Sequence, residues 1–367
     1  MRVTRLRLRD FRCYETAEVA VGPGLTVIHG PNGAGKTNLL EALYFGCTAR
    51  SCRTANEREL VRFGARATRV IVAGVDHAGE HELAVGFQAG EAKRVTADGA
   101  PVDRLLDVPH RPLVCVFLPD RLELVKGAPG LRRAHLDQVV AGLWPARAAT
   151  RRAYAQALAQ RNALIARVRA GRGGREALSA WDLELATHGI ALRDDRARAA
   201  ALLEEPFARH AASLGLRGPA TLAYRPRTDA ATPHELAAEL AERLSVDLDR
   251  GFTSHGPHRD DLLLRSVARD LRAYGSQGEQ RLALLALLLS ERDALGAARE
   301  RAPLMLLDDV MSELDPERRE RLAAELRAGG QTLVTTTDAD HVPGARADGV
   351  ARVGVADGRV LSEALAA

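Results

Sequence analysis

The sequence predicts an α/β fold built around a nucleotide-phosphate loop and interrupted by an inserted helical arm. Three observations predict it. First, a short apolar run, Leu25–His29, leads through a glycine-rich turn into a helix-patterned stretch from Asn38 to Phe45. Second, from about Leu131 to Leu214 the chain becomes rich in Ala, Arg, Leu and Glu and poor in β-branched residues, the composition of long helices. Third, the final third returns to strand–helix alternation, and its apolar run Leu304–Leu307 ends in paired carboxylates, Asp308 and Asp309. This divides the chain into a discontinuous head, residues 1–118 and 253–367, and a helical arm, residues 119–252.

Residues 1–29 read as two strands around a turn at Gly22-Pro23-Gly24. The run Met1 to Arg9 alternates charged and apolar side chains, which suits a half-buried strand and not a signal peptide. The turn that follows, Gly30-Pro31-Asn32-Gly33-Ala34-Gly35-Lys36-Thr37, fits the phosphate-loop pattern G-x-x-x-x-G-K-[ST] in full. Backbone N–H groups of such a loop point inward at an anion, and the helix that begins beneath it adds unpaired donors and a partial positive charge. Lys36 is placed to reach the β- and γ-phosphates of ATP, and the Thr37 hydroxyl to hold Mg2+. Beyond the helix, Thr48 to Thr54 is a polar loop whose Arg50 and Arg53 either contact nucleotide or pair with a surface acid.

Arg69–Val75, Glu82–Phe87 and Lys93–Thr96 alternate with glycine-containing turns, as in an antiparallel meander. Val114–Leu118 is a buried strand ended by Pro119. Within the helical block, the break at Gly171-Arg172-Gly173-Gly174 separates two long helical segments, which should pair antiparallel. A strand at Thr221–Tyr224 and a helix at Pro233–Leu244 follow. Asp270–Tyr274 is a strand candidate, Gly278–Ala294 an apolar helix and Gln331–Thr336 a strand. Val353 to Val360 is a closing hairpin with Asp-Gly at its turn.

A chain of 367 residues, 46% hydrophobic and 27% charged, is expected to be a soluble, cytoplasmic globular protein. No apolar run reaches membrane-spanning length, and the four cysteines form no C-x-x-C pair, so reduced buried thiols are expected in place of a metal site. Of 52 basic residues only Lys36, Lys93 and Lys126 are lysine. At Lys36 a compact ammonium fits where a planar guanidinium would not; Lys126 is retained either for a similar reason or by accident. The net charge is +4, yet between Arg121 and Arg175 twelve basic residues face only Glu123 and Asp137. That block marks either a polyanion partner or a solvated helical face.

The paired acids complete the chemistry that a phosphate loop requires. Asp308 is the candidate second Mg2+ ligand, and Asp309 the residue that orients or deprotonates the attacking water. Between the two elements, Ser276-Gln277-Gly278-Glu279-Gln280-Arg281 resembles the signature motif of ABC-type ATPases, usually Leu-Ser-Gly-Gly-Gln. A hydroxyl and a bare glycine backbone at a helix N-terminus make a second anion site, with Ser276, Gly278 and Gln280 as its candidate residues. Ser312-Glu313-Leu314-Asp315 resembles the D-loop of those enzymes, and Thr337 stands where their switch strand usually carries histidine. With Asp309 one methylene shorter than the usual glutamate, slow turnover is expected.

The motifs in order resemble the RecF family. They are Asp10-Phe11-Arg12-Cys13-Tyr14, the phosphate loop with Asn38-Leu39-Leu40-Glu41-Ala42, and Lys126-Gly127-Ala128-Pro129 with Arg132-Arg133. Gly256-Pro257-His258-Arg259-Asp260-Asp261, the signature run and Asp308 through Asp315 continue the series, while Pro119-Asp120-Arg121 departs from the usual Pro-Glu-Asp. The resemblance implies an ABC-type P-loop ATPase head related to SMC heads, with a helical arm in place of a long coiled coil. It further implies an ATP-dependent homodimer in which Lys36 of one chain and Ser276 of another bridge the nucleotide. The implied partners are DNA at junctions of single strand and duplex, RecR and RecO, with RecA loading downstream. His258 is expected to be structural. A transporter's nucleotide-binding subunit would carry the switch histidine and a glutamate at 309, whereas a nucleotide-regulated scaffold would keep its partners without the basic block.

Overall fold

The computed structural model describes residues 1–172, 174 and 176–361, which form two compact units. The first comprises Met1–Arg121, Ser213–Gly215 and the chain from Leu295 onward; the second comprises Leu122–Ala212 and Leu216–Ala294. The second unit therefore runs past 252, the expected end of the arm, because β-pairing and buried ion pairs tie residues 253–294 to the helices before them.

Three strands, not two, open the first unit: β1 (Arg2–Phe11), β2 (Tyr14–Ala20) and β3 (Leu25–His29). The missed turn lies at Arg12-Cys13, where Phe11 pairs with Tyr14 and Arg12 takes a left-handed φ of 52° with no glycine to signal it. In β1 the side chains of Val3, Leu6, Leu8 and Phe11 are buried and the arginines face out; a bulge between Val3 and Arg5 accounts for the slip in the alternation. After α1 (Lys36–Thr48) come β4 (Ala67–Asp76), β5 (Gly79–Gln88), β6 (Arg94–Ala97), β7 (Ala100–Pro101) and β8 (Val114–Phe117). The meander completes an antiparallel sheet of order β2-β1-β4-β5-β6-β7.

In the second unit α2 (Glu123–Lys126) precedes α3 (Pro129–Leu143), α4 (Ala148–Arg169) and α5 (Glu176–Ser213). Three long helices thus stand where two were expected. Pro145 pushes Trp144 out of the helical region and ends α3, a break hidden by the uniform composition. The expected pairing across the 171–174 break is observed: Ile165 packs with Leu178, Arg161 bonds Asp182, and Tyr154 lies against Gly189, an antiparallel register. β9 (Ala220–Arg225), α6 (Pro233–Glu242), α7 (Leu244–Arg250), β10 (Asp261–Ser266) and β11 (Arg269–Asp270) follow, and the three strands form a sheet of order β11-β10-β9. Leu271–Tyr274 is a helical turn, α8, and not part of a strand, because Asp270 caps it by accepting the Arg272 N–H at 2.9 Å.

Helix α9 (Gln277–Arg299) leads back to β12 (Leu304–Leu307), α10 (Pro316–Ala328), β13 (Thr332–Thr336), β14 (Ala351–Ala356) and β15 (Arg359–Leu361). The central sheet has order β15-β14-β3-β13-β12-β8, parallel throughout except for β15. Its inner strands are buried on both faces, which is why β12 reads as an unbroken apolar run and β3 as one interrupted only by Thr26 before His29. The closing hairpin turns at Asp357 and Gly358, both with positive φ, as Asp-Gly predicts. One apolar core joins the inner faces of both sheets with Leu39, Leu40, Leu43 and Phe45 of α1.

Candidate functional site: a phosphate loop and its carboxylates

Parallel pairing of β3 with β13 and of β13 with β12 brings residues 30–37 and 308–309 to the same end of the sheet, although 271 residues separate Thr37 from Asp308. The loop can take its shape only as glycine at two positions. At Gly30 (φ 152°) a Cβ would lie 2.0 Å from the Val355 carbonyl oxygen, and at Gly35 (φ 113°) it would lie 2.6 Å from the Tyr14 hydroxyl. Neighbours hold the loop in turn. Tyr14 Oη donates to Gly35 O at 3.0 Å, and the Gly358 N–H donates to Ala34 O at 3.0 Å. The Asp10–Tyr14 stretch is therefore a buttress of the loop.

Lys36 folds inward and donates from Nζ to Gly30 O at 2.7 Å and Pro31 O at 3.0 Å. Burial lowers its pKa, while Asp309 and Asp308 oppose that shift. Thr37 Oγ1 lies 2.9 Å from both carboxylate oxygens of Asp308. Adjacent ligands of an octahedral magnesium with bonds of about 2.1 Å sit about 3 Å apart, so hydroxyl and carboxylate are already spaced for that ion. Thr335 on β13, whose part in the site was not legible in the sequence, completes the arrangement. Its hydroxyl donates to Asp308 Oδ1 at 2.7 Å and accepts the Asp309 N–H at 2.9 Å. Asp309 adopts a left-handed φ of 48°, strained for a residue with a Cβ, and its Oδ1 is buried without a hydrogen bond among the described residues.

Sequence reasoning also missed Glu41. Its carboxylate is fully buried on α1 and accepts hydrogen bonds from Arg12 Nε and Nη2 at 2.9 and 2.8 Å, from Ser51 Oγ at 2.6 Å and from Arg53 at 3.2 Å. Arg53 also donates to Asn38 Oδ1 at 3.0 Å; the acid it pairs with is the buried Glu41, not one on the surface. The available signal was a lone carboxylate inside Leu39-Leu40-Glu41-Ala42-Leu43, a position that burial allows only with a partner. Arg50 is exposed.

In the second unit, Ser276 and Glu279 form a reciprocal capping box at the start of α9. The Ser276 N–H and hydroxyl reach Glu279 Oε2 at 2.9 Å each, and the Glu279 N–H returns to Ser276 Oγ at 3.3 Å. Gln280 is buried and donates to Leu271 O at 2.9 Å, while Gly278 faces open space. His258 is structural. Its Nε2 donates to Thr253 O at 2.9 Å, which leaves Nδ1 to accept from Tyr154 Oη at 2.7 Å, and burial lowers its pKa to about 4.

The basic block does not form one surface. Arg132 (3% exposed) grips Asp261 with two nitrogens at 2.7 and 3.0 Å. Arg161 is fully buried between Asp182 and Asp247, and Arg133 donates to Asp260 O. Lys126 pairs with Glu123, Arg147 with Asp195 and Arg151 with Asp137. Arg152, Arg167, Arg169 and Arg172 are exposed without an acidic partner among the described residues; Arg175 lies outside them.

A family model described as an AAA domain matches residues 5–96. The chain is 40% identical to the DNA replication and repair protein RecF of Myxococcus xanthus, covering 99% of this chain and 98% of that one. It is 41% identical to RecF of an Anaeromyxobacter species, covering 92% and 93%. Among solved structures it resembles the recombination mediator protein RecF with ATP in the RecFOR pathway, with a TM-score of 0.87, 26% identity and coverage of 99% and 97%. An SMC head bound to the C-terminal winged-helix domain of ScpA shares the fold, with a TM-score of 0.63 at 18% identity. No helix among the described residues is long and apolar enough to cross a membrane.

Proposed function

The chain belongs to the RecF family of DNA replication and repair proteins, and from that premise we propose that it is an ATP-gated DNA-binding switch of recombinational gap repair. The observation that carries the reading is the convergence of Thr37 and Asp308 at 2.9 Å beside the inward-folded Lys36. On binding ATP, Lys36 exchanges its two carbonyl partners for the β- and γ-phosphates, while the backbone N–H groups of Gly33 to Thr37 surround the anion. Thr37 and Asp308 would hold Mg2+, which supplies charge neutralisation on the phosphates. Thr335 keeps Asp308 oriented and, through the Asp309 N–H, fixes the backbone from which Asp309 receives the attacking water. The Asp309 carboxylate is the acceptor for that water's proton.

The signature residues Ser276 and Gly278 act on the nucleotide of a second copy, giving a C2 dimer with two composite sites, whereas Gln280, expected beside them, is buried on Leu271 O and supports the helix start from within. The Ser276–Glu279 cap preforms the helix start that meets the γ-phosphate. Hydrolysis removes that phosphate, and the dimer opens. Thr337 in place of a switch histidine, and an aspartate at 309, favour slow turnover. In this reading the closed dimer engages DNA where single strand meets duplex and works with RecR and RecO toward RecA loading. The unpaired arginines of the second unit supply contacts to the DNA backbone that do not depend on base sequence.

The test is binding of a labelled gapped duplex at one fixed moderate salt concentration with ATP, ADP or no nucleotide. Tight binding with ATP alone, lost in Lys36→Ala, is expected. Binding indifferent to nucleotide would remove the gating and favour a scaffold.

A further inference from the structure

A second polar cluster lies in the first unit, away from the phosphate loop and unused by the proposed chemistry. We propose that His81, Asp98 and His110 form a binding site for a divalent transition metal ion of the zinc type. His81 stands on β5, Asp98 in the turn between β6 and β7, and His110 in the segment before β8. One ligand atom from each lies within 4.8 Å of the others. Asp98 Oδ2 is 2.9 Å from His81 Nδ1 and 3.6 Å from His110 Nε2. A tetrahedral zinc with bonds of about 2.0–2.1 Å holds its ligand atoms about 3.3 Å apart, and the two observed separations bracket that value.

The surrounding hydrogen bonds assign the donor atoms. His81 Nε2 lies 3.0 Å from Asp76 Oδ1, and a carboxylate only accepts, so that nitrogen carries a proton. His81 Nδ1 and Asp98 Oδ2 would then face each other with lone pairs unless a cation, a proton or a metal ion, lies between them. Asp98 Oδ1 accepts the Glu82 N–H at 2.8 Å, which leaves Oδ2 for the imidazoles. His110 Nε2 is buried and has no hydrogen bond among the described residues, and that same oxygen lies 3.6 Å from it. The carboxylate–imidazole pair of Asp76 and His81 is the outer-shell arrangement that orients histidine ligands at metal centres. Three protein ligands leave a fourth position for water.

The two rings are now stacked, with centroids 3.9 Å apart and planes at 11°. Imidazole lone pairs lie in the ring planes, so coordination rotates the rings out of that stack. The ion would brace three separate chain segments, together with the N-terminus, whose ammonium donates to His110 O at 2.7 Å.

The experiment uses the full chain without nucleotide, equilibrated with Zn2+ and, as a spectroscopic probe, with Co2+. One tightly held equivalent is expected, together with a visible Co2+ band of tetrahedral type and no thiolate charge-transfer band. His110→Gln should weaken binding at least tenfold, and Asp76→Asn about 10- to 100-fold through loss of the orienting carboxylate. Far-UV circular dichroism verifies folding of each variant. Addition of Zn2+ should raise the unfolding temperature of the natural chain but not that of His110→Gln. Absence of a bound equivalent, a cobalt spectrum showing thiolate ligands, or affinity unchanged in both variants would overturn the proposal.

Discussion

Arg161 and the trio Arg167, Arg169 and Arg172 lie within one basic stretch of sequence, yet their loss should have opposite consequences. Arg161 is fully buried; its Nε donates to Asp182 Oδ1 at 2.6 Å and its Nη1 to Asp247 Oδ2 and Thr253 Oγ1 at 2.7 Å. Truncating one member of a buried ion pair costs about 3–5 kcal/mol. Arg161→Ala strands two carboxylates at once, which places it near the upper end, about 5 kcal/mol. With a urea slope of about 2–3 kcal/mol/M, the midpoint should fall by roughly 2 M. Burial already raises the Asp182 pKa against the opposing pull of Arg161, so without Arg161 that carboxyl takes up a proton more readily and the loss should shrink at acid pH. Replacing Arg167, Arg169 and Arg172 together by alanine should leave the urea midpoint nearly unchanged. It should instead flatten the dependence of log affinity for DNA on log salt by about 2.7, at about 0.9 per lost phosphate contact. Urea titrations and a salt series of gapped-duplex binding read both effects. A stable Arg161→Ala with weakened DNA binding, or a triple variant with an unchanged salt slope, would refute the division into core and surface arginines.

Other perturbations probe the nucleotide site and the second unit's core. Ser276→Arg should preserve ATP binding by the monomer and abolish ATP-dependent dimerisation, read by sedimentation; an unaltered dimer would remove the composite site. Asp309→Asn should retain ATP while lowering the hydrolysis rate by about 10²–10⁴, since its carboxylate is the proposed proton acceptor. Gly30→Ala should lose ATP binding, because its Cβ would lie 2.0 Å from Val355 O. A nucleotide titration matching the natural chain would contradict that loop geometry. His258 binds protons less readily folded than unfolded, with a pKa of about 4 against an ordinary 6.5. Its contribution to stability is full above pH 6.5 and declines as pH falls toward 4. His258→Gln should flatten urea stability across that window, and an unchanged slope would contradict the neutral, buried assignment.

The sequence by itself determined the parts of this protein whose chemistry is local. A phosphate loop needs its glycines, lysine and threonine at consecutive positions, so Gly30 to Thr37 was legible with both flanking elements. Runs buried on both faces announced β3, β8 and β12, and Asp357-Gly358 announced the closing hairpin. Arg12, in left-handed backbone, carries no distinctive signal for its turn, whereas Pro145 after Trp144 and Asp270 at the start of a short helix are break and cap residues outweighed by the uniform helical composition and by the strand-like run around them. Only the tertiary structure decided which charges serve the surface and which the core. Arg132 and Arg161 resemble their exposed neighbours in sequence, and their acids lie 129 and as many as 86 residues away. The same holds for Thr335 on Asp308, for Arg12 and Arg53 on Glu41, and for His81, Asp98 and His110 around one carboxylate oxygen. A buried charge is tolerated only with its partner in place, and which partner reaches it is set by strand order and helix register, not by spacing along the chain.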